Sequence, residues 1–308
     1  MKITRKSFIW GFSAAVLVSA VMVLPCLAED QARSTSGFSV EPVEYVVFIG
    51  FDGLSARAVE RAGTPTFGRL MREGAWTLSS RSILPSASSC NWHSIFTCAA
   101  SEQHGYVEWN SKEPAFAPSA LNGHGVFPDI FSELARQRPQ AESTFIFEWS
   151  GMQYTIDTNA VTHLLQRARS IVPKYIATMK PGILAAVVNS PDDKGHQFGW
   201  DSPEYAQCVK ELDAWLGDVL GAIESAGIAD RTVLFVTSDH GGEDTKHGRA
   251  TLADMERPVL MWGANVRKGR RLDFGGAVYD AGATVAALLG LDFPRAWIGR
   301  PLYEAFEH

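Results

Sequence analysis

The sequence predicts a three-layer α/β/α fold with a largely parallel central sheet. Two observations carry this expectation. Apolar runs of strand length recur at residues 45–51, 183–188 and 232–237, each nearly continuous rather than alternating, as strands buried on both faces are. Segments of helical spacing stand between such runs, and strand–helix alternation is the pattern of a parallel sheet covered on both sides. Ligand sites in such sheets form at the carboxyl ends of the strands.

The chain has 308 residues, 46% hydrophobic and 20% charged, enough for an ordinary globular core. Residues 1–28 are of another kind. Lys2, Arg5 and Lys6 precede an apolar run over residues 8–27, which Ala28 follows. This is the build of a secretory signal cleaved after Ala28, with an uncleaved anchor helix as the alternative. Thr4-Arg5-Lys6-Ser7-Phe8 is similar to a twin-arginine export signal with Lys in place of the second Arg. Pro25 before Cys26 suits lipoprotein cleavage poorly. An exported protein, periplasmic or secreted and with no membrane span after cleavage, is expected. Cleavage removes three positive charges and no acidic ones, so a formal net charge of −6 becomes −9. No Lys/Arg cluster remains, which argues against duplex nucleic acid as a partner. Cys90, Cys98 and Cys208 remain, an odd number. On a shared helix Cys90 and Cys98 would lie about 12 Å apart, too far to bridge. At most one disulfide, to Cys208, is expected.

Residues 29–43, polar over most of their length, are expected to form a flexible lead-in to a single catalytic domain over 44–308. The strand at 45–51 ends in Asp52-Gly53. Residues 65–74 read as a helix with a glycine stop, and 76–84 as extended. Pro85 to His93 reads Pro-Ser-Ala-Ser-Ser-Cys-Asn-Trp-His and leads into a helical run at 91–100. A turn follows at 101–106, a surface loop at 107–125, a helix at 127–137 and a strand at 143–149. Helical spacing spans 158–180, closed by Pro181-Gly182. After the strand at 183–188 come a long amphipathic helix at 203–226, strands at 232–237 and 258–262, and a closing helix at 281–289.

Ser88 stands where a strand gives way to a helix N-terminus. Free backbone N–H groups and the helix dipole favour an anion there, although a serine N-cap has the same sequence signature. Asn91, one turn on, can aim its amide at the same place. Three strands end in acidic residues: the first at Asp52, the 183–188 strand before Asp192 and His196, the 232–237 strand at Asp239 and His240. His247 follows in a loop. The segment between Pro191 and Gly195 is expected to be a loop that folds Asp192 and His196 onto one ion. Each residue alone is an ordinary turn, cap or loop residue. Together, carboxylates and imidazoles converging on one sheet edge suit zinc or a similar divalent ion. Three Asp, three His and Ser88 make seven donors, which suits two ions about 4 Å apart, the clamp for phosphoryl transfer.

With these residues in place, the chain resembles the alkaline phosphatase superfamily, above all its nucleotide pyrophosphatase/phosphodiesterase branch and compact bacterial relatives. The matches run from Phe51-Asp52-Gly53 to Gly299-Arg300-Pro301-Leu302. The resemblance implies an alkaline-phosphatase-like fold and two Zn²⁺. Asp192, His196 and His247 would hold one ion, and Asp52, Asp239 and His240 the other, with Ser88 bridging as the nucleophile. It implies hydrolysis of a small-molecule phosphate ester, nucleotides among them, through a covalent phospho-serine, with Asn91 and a backbone N–H near Ser89 contacting phosphate oxygen. Glu102-Gln103-His104-Gly105 and Tyr279-Asp280 also resemble family segments and are read as structural. Cys90 departs from the family by replacing a proline, placing a thiol beside the nucleophile. That substitution raises the expectations of altered metal preference or sensitivity to oxidation. Ser89 is a neighbouring hydroxyl, and only the spacing to Asn91 selects Ser88. The Cys/Ser-x-Pro-x-Arg signature of sulfatases is absent, so sulfate esters are discounted.

A dianionic monoester calls for extra positive charge such as an Arg fork. None is evident near Ser88, which favours a phosphodiester or pyrophosphate unless Arg249 or Lys194 reaches the site. Trp92, Tyr106, Trp109 and Trp149 are candidates to stack on a base or aglycone, or else pack internally. The alternatives are a phosphomonoesterase or phosphonate hydrolase on the same scaffold and, from another class, a non-catalytic exported binding protein.

Overall fold

The computed structural model describes residues 40–307; the leader and most of the lead-in lie outside them. The described elements run β1 (Tyr45–Phe51), α1 (Ala56–Ala62), α2 (Pro65–Glu73), β2 (Ala75–Arg81), α3 (Ser88–Thr97), α4 (Ser101–His104), α5 (Ile130–Gln137), β3 (Ser143–Phe147) and β4 (His163–Gln166). Then follow α6 (Val172–Met179), β5 (Ile183–Val188), α7 (Asp192–Phe198), α8 (Pro203–Ser225), β6 (Thr232–Ser238), α9 (Leu252–Met255), β7 (Glu256–Gly263), β8 (Arg270–Arg271) and α10 (Val278–Leu288).

One eight-stranded sheet has the order β4-β3-β5-β1-β6-β7-β2-β8. β4, β3, β5, β1 and β6 run parallel, and β7 is antiparallel to β6 and to β2. β1 lies in the middle because its side chains are apolar in both directions. Val46 and Phe48 pack with α3, α5 and α10; Val47, Ile49 and Phe51 pack with α1, α2, α6 and α8. Apolar burial on both faces drives this sandwich, at roughly 1.5–3 kcal/mol per large side chain. The three-layer fold is as expected. Its consequence for function is that β1, β5 and β6 are adjacent and parallel, so their carboxyl ends lie side by side.

Several local expectations need correction. The helix expected over 158–180 is instead β4 followed by α6. Pro173 sits in the first turn of α6, the place in a helix where proline fits. Before it, His163-Leu164-Leu165-Gln166 pairs with β3 as an edge strand. The loop expected at Asp192 to His196 is the helix α7, entered from Pro191. Gly195 is buried within α7, and a Cβ there would lie 2.6 Å from the Trp200 indole, so packing rather than turn formation selects glycine. The turn at 101–106 contains the four-residue α4, and α1 and β8 were not anticipated. At the end of the predicted flexible lead-in, Val40 is buried and the Val43 amide donates to the Leu288 carbonyl at 2.9 Å. Cys90, Cys98 and Cys208 are all free and buried, so the one possible disulfide does not form. Among the described residues no helix is long and apolar enough to cross a membrane.

α2 illustrates how the helices are fixed. Its own N-cap, Thr64, offers no side-chain cap. Buried Asp213 of α8 accepts from the amides of Thr66 at 3.1 Å and Phe67 at 2.6 Å instead. Asp213→Ala strands both amides and should cost about 2 kcal/mol in urea unfolding; an unchanged midpoint would contradict this role.

Candidate active site

The carboxyl ends of β1, β5 and β6 deliver Asp52, Asp192 and Asp239. The chain must turn sharply after Asp52, and Gly53 does so at φ +68°, where a Cβ would also strike Asp192. The turn is held from several sides. The Gly53 amide donates to Asp239 Oδ1 at 3.1 Å, and the Gly53 carbonyl accepts from Trp200 Nε1 at 2.9 Å and from the Tyr205 hydroxyl at 2.8 Å. Trp92, buried under the site, donates from Nε1 to Asp52 Oδ2 at 3.3 Å.

Ser88, the first residue of α3, brings its hydroxyl to 3.3 Å from Asp52 Oδ1 and 3.1 Å from His240 Nε2. Ser89 is turned away, its hydroxyl donating to the Ser111 carbonyl at 3.3 Å. Two compact groups of donor atoms flank Ser88. Asp52, Asp239 and His240 form one, and Asp192, His240 and His247 the other. The grouping differs from expectation in one respect. His240 belongs to both, while His196 lies to the outside, its Nε2 3.4 Å from Asp192 Oδ2 and its side chain half exposed. The i,i+4 spacing on α7 places Asp192 and His196 on one helix face.

All three histidines are oriented alike. Nδ1 of His240 donates to the Gly241 carbonyl at 2.8 Å, that of His247 to Ser86 at 2.9 Å and that of His196 to Thr245 at 3.0 Å. A carbonyl only accepts, so each Nδ1 holds the proton and each Nε2 presents a lone pair. This backbone anchoring is the usual support of metal-binding imidazoles. Asp192 Oδ1 and Asp239 Oδ2 are buried without a hydrogen-bond partner. Orphaned carboxylate oxygens facing bare imidazole nitrogens fit divalent cations.

The electrostatics agree. Burial, then the charges of Asp239 and Asp192, holds Asp52 well above the usual carboxylate range. Burial pushes Asp192 and Asp239 up to about 7. Burial holds His240 down to about 4 and, with His240 beside it, His247 down to about 3. Three carboxylates and two bare imidazoles form a charge pattern that cations would relieve.

Asn91 does not do what the spacing implies. It is fully buried; Oδ1 accepts from the Ile83 amide at 2.8 Å, and Nδ2 donates to the carbonyls of Ala87 at 3.0 Å and Pro85 at 3.3 Å. It braces the turn into α3 rather than facing the anion site. The Ser89 amide is likewise engaged, donating to the Trp109 carbonyl at 3.2 Å. Cys90 is buried with its thiol pushed up to about 12 by burial, so the expected sensitivity to oxidation loses its basis.

A cleft of about 820 Å³ opens over Ser88, Asp52, Asp192, His196 and His247. Trp109 and Trp149 also line it, with ring centroids 6.3 Å apart and planes at 16°. Trp92 and Tyr106, by contrast, stack on Phe96 and His93. Among the described residues, neither Lys nor Arg lines the cleft. Arg249 instead grips both carboxylate oxygens of Asp254, and Lys194 lies 3.7 Å from Asp193 and over the Phe198 ring. Sequence reasoning missed Asn189, whose side chain lines the cleft and makes no hydrogen bond among the described residues; its position just past the end of β5 was the available signal.

The family model for type I phosphodiesterase/nucleotide pyrophosphatase matches residues 46–286. The chain belongs to this family. Human ectonucleotide pyrophosphatase/phosphodiesterase family member 5 is 24% identical over 221 residues, covering 66% of this chain and 46% of that protein. Mouse bis(5'-adenosyl)-triphosphatase enpp4 is 22% identical over 222 residues, covering 64% of this chain and 46% of its own length. The chain thus spans about half the length of these curated relatives. In fold it matches an inactive form of murine ectonucleotide pyrophosphatase/phosphodiesterase 5 solved in complex with AMP. That match has a TM-score of 0.66 at 17% identity and covers 82% of this chain and 96% of that one. The type I phosphodiesterase match takes in both donor groups and Ser88, from Asp52 to His247.

Proposed function

We propose that this type I phosphodiesterase family member is an exported hydrolase of phosphodiester or pyrophosphate bonds that uses Ser88 as its nucleophile. The observation that carries the proposal is the position of Ser88 Oγ, at the N-terminus of α3 and within 3.3 Å of both Asp52 and His240. Asp52, Asp239 and His240 would hold one divalent ion, and Asp192 and His247 the other, with His196 supporting that set from its outer side beside Asp192, zinc suiting this donor set. Such ions supply the Lewis acidity that activates a hydroxyl and offsets charge on the phosphate.

Ser88 Oγ attacks phosphorus, the Oγ–P bond forming as the bond to the leaving oxygen breaks; Asp52 Oδ1 is placed to accept the hydroxyl proton. The α3 N-terminus favours the anionic phosphate beside Ser88. Asn189, which lines the same cleft, would offer a carboxamide N–H to a phosphate oxygen in place of Asn91. Water then displaces Ser88 from phosphorus and restores the hydroxyl. A cleft without Lys or Arg suits a singly charged diester better than a dianionic monoester. AMP in the murine neighbour adds nucleotides to the candidate substrates.

The direct test is hydrolysis of bis(4-nitrophenyl) phosphate against 4-nitrophenyl phosphate by residues 29–308 supplied with zinc. Dominant diester turnover is expected; dominant monoester turnover would overturn the preference and place the chain with phosphomonoesterases. Protons compete with metal for Asp192 and Asp239, so metal retained after dialysis should fall as pH drops through about 7. Retention that is the same at pH 5 and pH 8 would contradict those two carboxylates as ligands.

A further inference from the structure

Away from the cleft over Ser88, a cavity of about 580 Å³ opens between α1, α2 and β2. It shares no lining residue with that cleft. Three arginines line it: Arg57 from α1, Arg72 from α2 and Arg271 from β8. They stand together in a chain whose formal net charge is −6.

Neighbouring carboxylates do not account for them. Among the described residues none of the three forms an ion pair. Glu73, next to Arg72, is taken by Arg69 at 3.0 Å, and Glu256, in the lining, by Arg81 at 3.1 Å. Glu60 is the remaining acid of the lining. With Glu256 offset by Arg81, three guanidinium groups against Glu60 leave an excess of two positive charges.

The three groups are also set in place. Arg57 Nη2 donates to the Gly242 carbonyl at 3.5 Å, while its Nε is buried without a hydrogen-bond partner. A buried donor left unpaired calls for an acceptor. Arg271 lies over the Trp76 ring, its guanidinium carbon 5.3 Å from the centroid. Gly68 leaves room for Arg72, since a Cβ there would come within 3.2 Å of Nη1. Between the arginines the lining is apolar, with Val59, Met71, Trp76 and Leu78. Guanidinium forks match the oxygens of a phosphate dianion, and an apolar lining suits an organic group on the same molecule.

We infer that this cavity binds an organic phosphomonoester dianion, its phosphate held by Arg57, Arg72 and Arg271 and its organic group lying against Trp76 and Met71. Hydrolysis of a phosphodiester releases a compound of this class, so the proposed reaction supplies a ligand for the second site. That link rests on the phosphodiesterase reading; the binding does not.

The test is calorimetric titration of the zinc-loaded protein with phenylphosphonate, an aromatic dianion without a hydrolysable ester, and with benzoate, an aromatic monoanion. Phenylphosphonate should bind with a Kd of about 1 mM or tighter, and benzoate at least about tenfold more weakly. Arg72→Gln combined with Arg271→Gln changes two exposed side chains. This double variant should weaken phenylphosphonate binding at least about tenfold and leave kcat/KM for bis(4-nitrophenyl) phosphate within about twofold. Phenylphosphonate binding that is absent, no tighter than that of benzoate, or unmoved in the double variant overturns the inference; the last result would place the phosphonate elsewhere, at the metal-ligand cluster first of all. Arginine-dependent binding by a protein that cleaves no diester would still support the site, while removing the phosphodiesterase reading and the link to its product.

Discussion

Ser88→Ala should lower kcat on bis(4-nitrophenyl) phosphate by at least about 10⁴-fold, the scale of losing a nucleophile. The six remaining donor residues should still retain most of the bound metal. Ser89→Ala is the control that sharpens this. Its hydroxyl bonds to the Ser111 carbonyl and not to Asp52 or His240, so its loss should cost about tenfold or less. If Ser89→Ala were the silent enzyme and Ser88→Ala the active one, the position of the helix start would have been misread. If both were active, the covalent route itself would fail.

His240→Ala should be the most damaging change among the histidines. His240 is fully buried and belongs to both donor groups. Removing it opens a cavity and leaves Asp52, Asp192 and Asp239 without the neutral donor between them. Turnover should fall by about 10³-fold or more, and metal content should fall with it. His196→Ala removes an outlying, half-exposed imidazole that sits beside Asp192 at 3.4 Å and against the His247 ring. A loss of about 10–100-fold is expected there, closer to that of a supporting group. Equal losses for the two variants, measured as metal per chain and as kcat/KM, would restore His196 to the compact site and remove the distinction.

The donor residues were legible in the sequence because strand ends are legible. A nearly continuous apolar run followed by Asp names both the strand and its carboxyl edge, so Asp52 and Asp239 could be placed before any coordinates. Asp192 and His196 were legible as a pair, though not as a helix. Gly195 reads as a breaker in isolation, and only the Trp200 ring packed against it makes it compatible with α7. The helix expected over 158–180 failed for the complementary reason: Leu164 and Leu165 fit a helical period, and only the open edge of β3 makes them a strand. Asn91 is the instructive error. Spacing assigns it to the anion, but its amide donates to the carbonyls of Pro85 and Ala87, and the geometry of that turn is not written in the residue types. Asn189 carries only a weaker signal: it follows β5 directly, at the edge where sites form, but its residue type there is that of any turn.

The most direct test of the account is metal content read alongside turnover. Purified protein should carry about two divalent ions per chain, lose diester hydrolysis when they are chelated, and regain it when zinc is returned. Undiminished turnover in chelated protein holding less than about a tenth of an ion per chain would contradict the account at its centre.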